Sequence, residues 1–406
     1  MKNIYIFDEF ISSSINGIGT YLEELISIFE NSDYKINVIR FNYEDKEFSE
    51  SHGLSANYFN IPTFPDKSFF KHHSIIAKLL YLHITDCYDN IFILNHTQSE
   101  NLIVSIKEYF PKSKVVCIIH GQEWCSELLG NTELLYKIIK ERNYKVQNNT
   151  YNDVISGFQR EQKMYQLADH IICLSEDSLN LLTNLYNIPI NKTTLIHNGL
   201  RDITYLNIEN YKNVIRHEYV INEDENILIY AGRINREKGV YNLISAIQNV
   251  LFFTNNVRLL IAGPLSSPDI IHYSSKICCK ISYCGYLPKN ELYKLYSIAN
   301  IGVLPSYIEQ CSYTGIEMLM HGLPIITTNC PGNRSMFCHN HNALVSEIDY
   351  STGNEDLIKS LSRNILSLLN DHDLCKRLSI AARNSYLKRY SISIMKEKYL
   401  RLFNSL

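Results

Sequence analysis

An α/β protein with two successive parallel-sheet units is what this sequence predicts, and three observations carry it. In the first half, short β-rich runs alternate with helical stretches: NIYIFD (3–8), KINVIRF (35–41), NIFILN (90–95), KVVCIIH (114–120), HIICLS (170–175) and TTLIHNG (193–199). The alternation then restarts with NILIYAG (226–232), VRLLIAG (257–263), KISYCGYL (280–287) and IGVL (301–304). Strands alternating with helices imply a parallel sheet covered on both faces. Finally, 406 residues are too many for one ordinary core and fit two domains. The expectation is two Rossmann-like domains, 1–200 and 201–385, joined near 199–225, with a cleft between their sheets and a terminal helix over 386–406.

The elements follow in order. NIYIFD leads into SSSINGIGTYLEELISIFE, a polar glycine loop feeding an amphipathic helix that begins near Thr20. The stretch 42–75 reads as irregular and histidine-rich (His52, His72, His73), the character of loops that define a partner. LLYKIIKERNYK (134–145) reads as a basic amphipathic helix, either an ordinary surface helix or one that touches lipid. In the second half VYNLISAIQNVLFF and ELYKLYSIA are helices, and the tail SIAARNSYLKRYSISIMKEKYLRLF carries apolar residues at helical spacing.

Composition excludes several classes. Hydrophobic content of 45% and charged content of 20% are globular values, so wholesale disorder is not expected. A net charge of −3 gives no support for nucleic acid as a partner. The cysteine count is odd, at 11, and MKNIYIFDEF enters a strand without the apolar core of a signal peptide. Cys278-Cys279 has no companion pair at zinc spacing. The cysteines therefore read as small core residues in a reducing cytoplasm. No apolar run is long enough to span a bilayer.

The most informative segment is PSYIEQCSYTGIEMLMHGLP (305–324). Glu309 lies in a loop after a buried strand, and Glu317 lies eight residues on, at a helix start. Carboxylates at the carboxyl edge of an α/β sheet suit hydroxyl recognition, because each accepts from several hydroxyls. Thr314 to Glu317 also match a capping box, so Glu317 has a purely structural reading as well. The backbone from Cys311 through Ser312, Tyr313 and Thr314 opens the same helix and offers N–H groups to an anion. In AGRINREKG, Arg233 and Lys238 occupy a strand-to-helix turn, where two cations neutralise a diphosphate. Gly17 and Gly19 allow close backbone approach after the first strand, although they do not form the dinucleotide fingerprint. His120 ends its strand where an imidazole can meet a sugar hydroxyl or a phosphate oxygen. The lone DxD, Asp371-His372-Asp373, reads as a helix start, so no metal is expected.

These residues resemble a family. NGIGTYLEEL, IIHGQEW, ADHIICLSE, LIHNGL, AGRINREKG, LIAG, CGYLPKNELYKLYSIANIGVLPS and the E-x7-E segment are similar, in order and spacing, to the GT-B nucleotide-sugar glycosyltransferases of retaining family 4. The resemblance covers nearly the whole chain. It implies Arg233 and Lys238 on the donor diphosphate, Glu317 on the ribose hydroxyls and Glu309 facing the transferred sugar. It places His120 near the sugar's C6 hydroxyl, Gly17 and Gly19 on the loop closing over the phosphates, and Gly285, Tyr286 and Leu287 at the base. The terminal helix is implied to pack back on the N-terminal domain. Where many relatives carry Gly-Phe-Gly after the first acid, this chain has Gln310-Cys311-Ser312, and it has Gly121 where many carry Asp.

The implied activity is metal-independent, retaining transfer of a hexose-type sugar from a nucleoside-diphosphate sugar, UDP first and GDP next, with no other cofactor. The acceptor stays open among glycan, lipid-linked sugar, peptide and small molecule, expected around 42–75 and 121–160. The enzyme is expected in the cytoplasm, with peripheral contact at the inner membrane face as an option. The alternatives are an inverting transferase or sugar-nucleotide epimerase on the same fold, and a non-catalytic nucleotide-binding subunit.

Overall fold

A computed structural model describes residues 2–9, 17–43, 46–64, 72–95, 99–141, 150–203, 209–264 and 269–406. Two compact units emerge: Met1–Leu128, Thr132–Gly199 and Ile392–Leu406 form the first, and Leu129–Asn131 with Leu200–Ser391 form the second.

The first unit is an eight-stranded sheet. Its strands are β1 (Lys2–Glu9), β2 (Tyr34–Tyr43), β3 (Ser49–His52), β4 (Asn57–Pro62), β5 (Asn90–Leu94), β6 (Lys114–Ile119), β7 (His170–Cys173) and β8 (Thr193–Leu195). Their order is β3-β4-β2-β1-β5-β6-β7-β8. The central strands are near-continuous apolar runs because helices cover both faces; Ile4, Ile6, Phe7, Phe92, Ile93 and Val116 are fully buried. The stretch 42–75 is not irregular throughout. β4 joins β2 in parallel, and β3 runs antiparallel along β4, so the sheet is mixed at this edge. SESH is a polar, largely exposed edge strand and NYFNIP ends in proline, so neither shows the apolar alternation that announces a strand.

Helix Gly17–Ile28 buries Tyr21, Leu22, Leu25 and Ile28, one stripe at helical spacing. The last helix, Ile392–Ser405, packs on it with Met395, Tyr399, Leu402 and Phe403. Tyr21 and Tyr399 share a hydroxyl–hydroxyl hydrogen bond, and Phe29 stacks on Phe403 with ring centroids 5.7 Å apart.

The second unit is a six-stranded parallel sheet: β9 (Asn226–Ala231), β10 (Val257–Ala262), β11 (Ile281–Gly285), β12 (Ile301–Leu304), β13 (Ile325–Thr328) and β14 (Leu344–Ser346), ordered β11-β10-β9-β12-β13-β14. At the amino edge, buried Glu225 accepts from Arg258 Nε at 2.8 Å and Lys280 Nζ at 3.0 Å, tying three strands together. At the carboxyl edge Gly232 N donates to Ala262 O at 2.9 Å and Gly263 N to Gly285 O at 2.7 Å. A Cβ on Gly263 (φ +152°) would stand 1.9 Å from Gly232 O, so only glycine permits this backbone stack.

Candidate functional site

Strand order in the second sheet reverses at β9, which lies between β10 and β12. Loops after β9 and β12 therefore meet at the switch point, where α/β sheets bind ligands. The β9 loop folds on itself through Lys238 N, which donates to Asn235 Oδ1 at 3.0 Å, and turns into helix Val240–Val250 at Gly239, φ 67°. Tyr307 N of the β12 loop donates to Glu237 O at 2.8 Å, joining the two loops.

This join brings two of the expected residues together. Lys238 Nζ lies 2.6 Å from Glu309 Oε1, with side chains only 21% and 8% exposed. Ser306 Oγ donates to the same carboxylate oxygen at 2.8 Å. The acid-bearing loop is wedged on both sides: a Cβ on Gly239 would meet Pro305 O, and one on Gly332 (φ +84°) would meet Glu309 O and Gln310 O at 2.5 Å. Glu309 is thus held on a backbone without slack, the condition for a pre-organised site. Arg233, on the same β9 loop, is 60% exposed and pairs with Glu237 at 3.9 Å, a surface contact worth little. With Lys238 and Glu309 neutralising each other, Arg233 remains to attract an anion.

The helix carrying the second acid is Tyr313–Met320. Its N-cap is Ser312, whose Oγ accepts from Gly315 N at 3.2 Å. Glu317 therefore lies beyond the first turn, and the capping-box reading from Thr314 does not hold. Starting at Ser312 gains half a turn of backbone hydrogen bonds and still satisfies an orphan N–H. Glu317 is instead buried, its oxygens accepting from Tyr293 OH at 3.4 Å and Tyr296 OH at 3.2 Å. Those tyrosines escaped the sequence reading, although their i, i+3 spacing on helix Lys289–Ile298 gives them a shared face. Cys311 and Ser312 are buried, and Tyr313 and Thr314 are half-buried. Tyr286, 60% exposed, and half-buried Leu287 follow Gly285, whose φ is +66°.

Burial pushes the Glu317 carboxyl up to about 7, against the opposing pull of Lys289 and the two tyrosine hydroxyls. Burial likewise raises Glu161 of the first unit to about 7. A carboxyl that binds its proton more tightly when folded lends stability that is complete below its unfolded value near 4.5 and is lost as pH rises toward 7. Glu317→Gln removes one such group, so its melting temperature should fall less steeply than wild type between about pH 5 and about pH 8. Parallel slopes in calorimetric scans would show that Glu317 does not titrate in that window.

In the first unit His120 is half-buried just beyond β6. Its Nε2–H donates to Asn95 Oδ1 at 2.8 Å, and the Tyr21 ring meets it edge-on at 4.6 Å between centroids. Gly17 and Gly19 do not form a loop before the helix. The helix begins at Gly17, so both glycines lie in its first turn. The buried stripe starting at Tyr21 extends the helix backward at a cost of only about 1 kcal/mol per glycine. Residues 10–16 lie outside the described residues, as do parts of 42–75, 134–145 and 199–225. Helix Thr132–Lys140 buries Leu135 and Ile138 and carries Lys137 and Lys140 in its last turn.

Among the described residues no group of three or more His, Cys, Asp or Glu is placed to hold a metal ion. Asp371 caps helix His372–Ser385, accepting from Leu374 N at 2.9 Å. No helix of the described residues is long and apolar enough to cross a membrane.

Comparison with known proteins gives this arrangement a family. A family model described as Glycosyltransferase Family 4 matches residues 15–202, and one described as Glycosyl transferases group 1 matches residues 212–385. The chain is 22% identical over 355 residues to an uncharacterized glycosyltransferase of Methanocaldococcus jannaschii, covering 85% of this chain and 84% of that protein. It is 23% identical over 244 residues to a capsular polysaccharide biosynthesis glycosyltransferase of Staphylococcus aureus, covering 59% and 62%. Among solved structures, sucrose-phosphate synthase from Thermosynechococcus elongatus superposes with TM-score 0.76 at 15% identity, covering 100% and 99%. Anabaena HepE, solved with UDP and glucose, superposes with TM-score 0.71 at 12% identity, covering 100% of both chains. The chain belongs to the GT-B nucleotide-sugar glycosyltransferases of the group 1/family 4 type.

Proposed function

We propose that this enzyme is a retaining, metal-independent transferase that moves a hexose-type sugar from a UDP-sugar, with GDP next in order, to a glycan acceptor. The observation that carries the reading is the Lys238–Glu309 pair at the switch point of the second sheet, with Arg233 on the same loop. A diphosphate arriving there competes with Glu309 for the ammonium and is held by Lys238 and Arg233 as charge develops on the leaving group. Glu309, released from its partner, accepts from hydroxyls of the transferred sugar, and Glu317 with its tyrosines faces the ribose. The turn at Cys311, Ser312, Tyr313 and Thr314 lies toward the phosphates, and Tyr286 and Leu287 toward the base. In the first unit, His120, Gly17 and Gly19 are the candidates for contact with a sugar hydroxyl or a phosphate. No side-chain base is assigned; the leaving phosphate takes the acceptor's proton.

UDP is favoured because several structurally similar proteins were solved with UDP and a sugar, among them a pneumococcal O-GlcNAc transferase with UDP and GlcNAc. A glycan acceptor is favoured because the named relatives include capsular polysaccharide and lipopolysaccharide transferases. We place the reaction in the cytoplasm, with Lys137 and Lys140 as the peripheral contact to a membrane face. Incubation with UDP-glucose, UDP-GlcNAc and GDP-mannose, with and without added glycans, should release nucleoside diphosphate. Proton NMR of the product should show the donor's anomeric configuration retained. An inverted product overturns the retaining assignment, and absence of turnover with every donor leaves a binding subunit.

A further inference from the structure

Helix Thr150–Leu167 turns one stripe inward, with Val154, Phe158, Met164 and Tyr165 buried at helical spacing. Glu161 stands in the middle of that stripe and is itself only 6% exposed. A carboxylate among apolar neighbours weakens a fold unless donors meet its oxygens. Here two donors do. Glu123 N donates to Glu161 Oε1 at 2.7 Å, and Tyr186 OH donates to the other oxygen. Tyr186 is held in its turn, its ring stacked on Phe158 with centroids 4.2 Å apart and its carbonyl accepting from Gln162 Nε2 at 3.0 Å.

What Glu161 holds is the turn that leaves β6. Glu123 lies three residues past His120 and opens helix Trp124–Glu127, a single turn with no side-chain cap. So short a helix does not fix its own start. Strand order reverses between β1 and β5, and β6 is the next strand, so the turn stands beside the switch point of the first sheet. Arg160 also reaches Glu123, but as a side-chain pair 61% and 54% exposed, which contributes little. His120 Nε2–H donates to Asn95 Oδ1 at 2.8 Å, a bond that orients the ring and leaves the backbone beneath it to be held from elsewhere.

We propose that Glu161 is a positioning residue for sugar transfer: by accepting from Glu123 N it fixes residues 120–123, and so the place from which the His120 imidazole is presented. Both of its oxygens are engaged within the first unit, so it acts through this turn and not on substrate. The inference rests on the reading of His120 as a contact for a sugar hydroxyl or a phosphate. Burial raises the carboxyl to about 7, with the Tyr186 hydroxyl, the Glu123 amide and Arg160 pulling it down and the Glu123 carboxylate pushing it further up. The hold does not depend on which form is present, because a protonated carboxyl keeps a carbonyl oxygen that accepts from Glu123 N. Glutamine keeps that oxygen as well, and leucine has none.

Glu161→Gln and Glu161→Leu in the full chain separate the hydrogen bond from the burial. The donor is whichever of UDP-glucose, UDP-GlcNAc and GDP-mannose the wild type turns over, and the matching nucleoside diphosphate, titrated by calorimetry, counts the folded sites. Per counted site, Glu161→Leu should lower kcat at least about tenfold while the nucleoside diphosphate binds as in wild type, and Glu161→Gln should stay within about threefold. Amide exchange followed by mass spectrometry should be faster across 120–127 in the leucine variant and unchanged in the glutamine one. Where the Tyr186 hydroxyl stranded by leucine lowers the folded fraction, Glu161→Leu/Tyr186→Phe removes both groups and carries the same expectation. Unchanged kcat per site or unchanged exchange in the leucine variant overturns the proposal, and so does an equal loss of kcat in the glutamine variant. Each of these results leaves wild-type transfer, and the reading of the enzyme, intact. A wild type that turns over none of the three donors removes that reading and this proposal together.

Discussion

Lys238→Met should lower sugar transfer by at least about 100-fold, equivalent to about 2.7 kcal/mol of transition-state stabilisation. The argument starts from the pair it breaks. Lys238 and Glu309 are 2.6 Å apart and mostly shielded from water. Removing the ammonium alone leaves a buried carboxylate whose remaining donor among the described residues is Ser306, at 2.8 Å. Stranding a buried charge in this way costs on the order of 3 kcal/mol of stability. Loss of activity in the single variant therefore has two readings, a lost phosphate ligand or a distorted loop. Lys238→Met/Glu309→Gln separates them, because neutralising both partners removes the stranded charge and should restore much of the stability. If Lys238 holds the leaving diphosphate, turnover stays low in the double variant while its melting temperature recovers. Recovery of turnover along with stability would make the pair a structural tie and sink the assignment.

That pairing marks the limit of what the residues revealed in order. The motif positions were legible because they fall where strands end: β9 and β12 are short apolar runs, and the polar turns after them hold Lys238 and Glu309. The contact between them was not legible. The partners are 71 residues apart, and their meeting depends on β12 lying beside β9 rather than beside β11. Glu317 shows the same limit differently. Its place on a helix was readable, but the capping box pointed to Thr314, and the cap at Ser312 instead puts Glu317 beneath Tyr293 and Tyr296. In the first unit β1, β5 and β6 announced themselves by continuous apolar sequence. SESH did not, because an edge strand facing water has no buried face to pattern. NYFNIP did not, because buried Asn60 breaks its apolar run between Phe59 and Ile61 and a proline ends it.

Gly239→Ala should lower the melting temperature of the second unit by on the order of 10 °C, and transfer with it. Gly239 opens helix Val240–Val250 at φ 67° and ψ 13°, a left-handed conformation that costs a residue with a Cβ about 1 kcal/mol or more. The second contribution is steric. The Cβ would stand 1.9 Å from Pro305 O and 2.8 Å from Pro305 C. Those are backbone atoms in a loop that Tyr307 N already fastens to Glu237 O at 2.8 Å, so they cannot turn aside as a side chain would. Relief requires the two loops to part, at a further cost of about 1 to 3 kcal/mol. Parting them draws Lys238, adjacent to Gly239, away from Glu309, four residues past Pro305. Gly322→Ala isolates the first contribution. Gly322 has φ +64°, and a Cβ there would meet nothing nearer than Ser379 O at 3.4 Å, an ordinary contact. It should therefore lose only the conformational part, with transfer preserved. Equal losses at the two glycines would mean that backbone handedness accounts for the whole effect at Gly239, and that the β9 and β12 loops tolerate separation. A large stability loss at Gly239 with unaltered transfer would separate the fit of these loops from the chemistry placed on them.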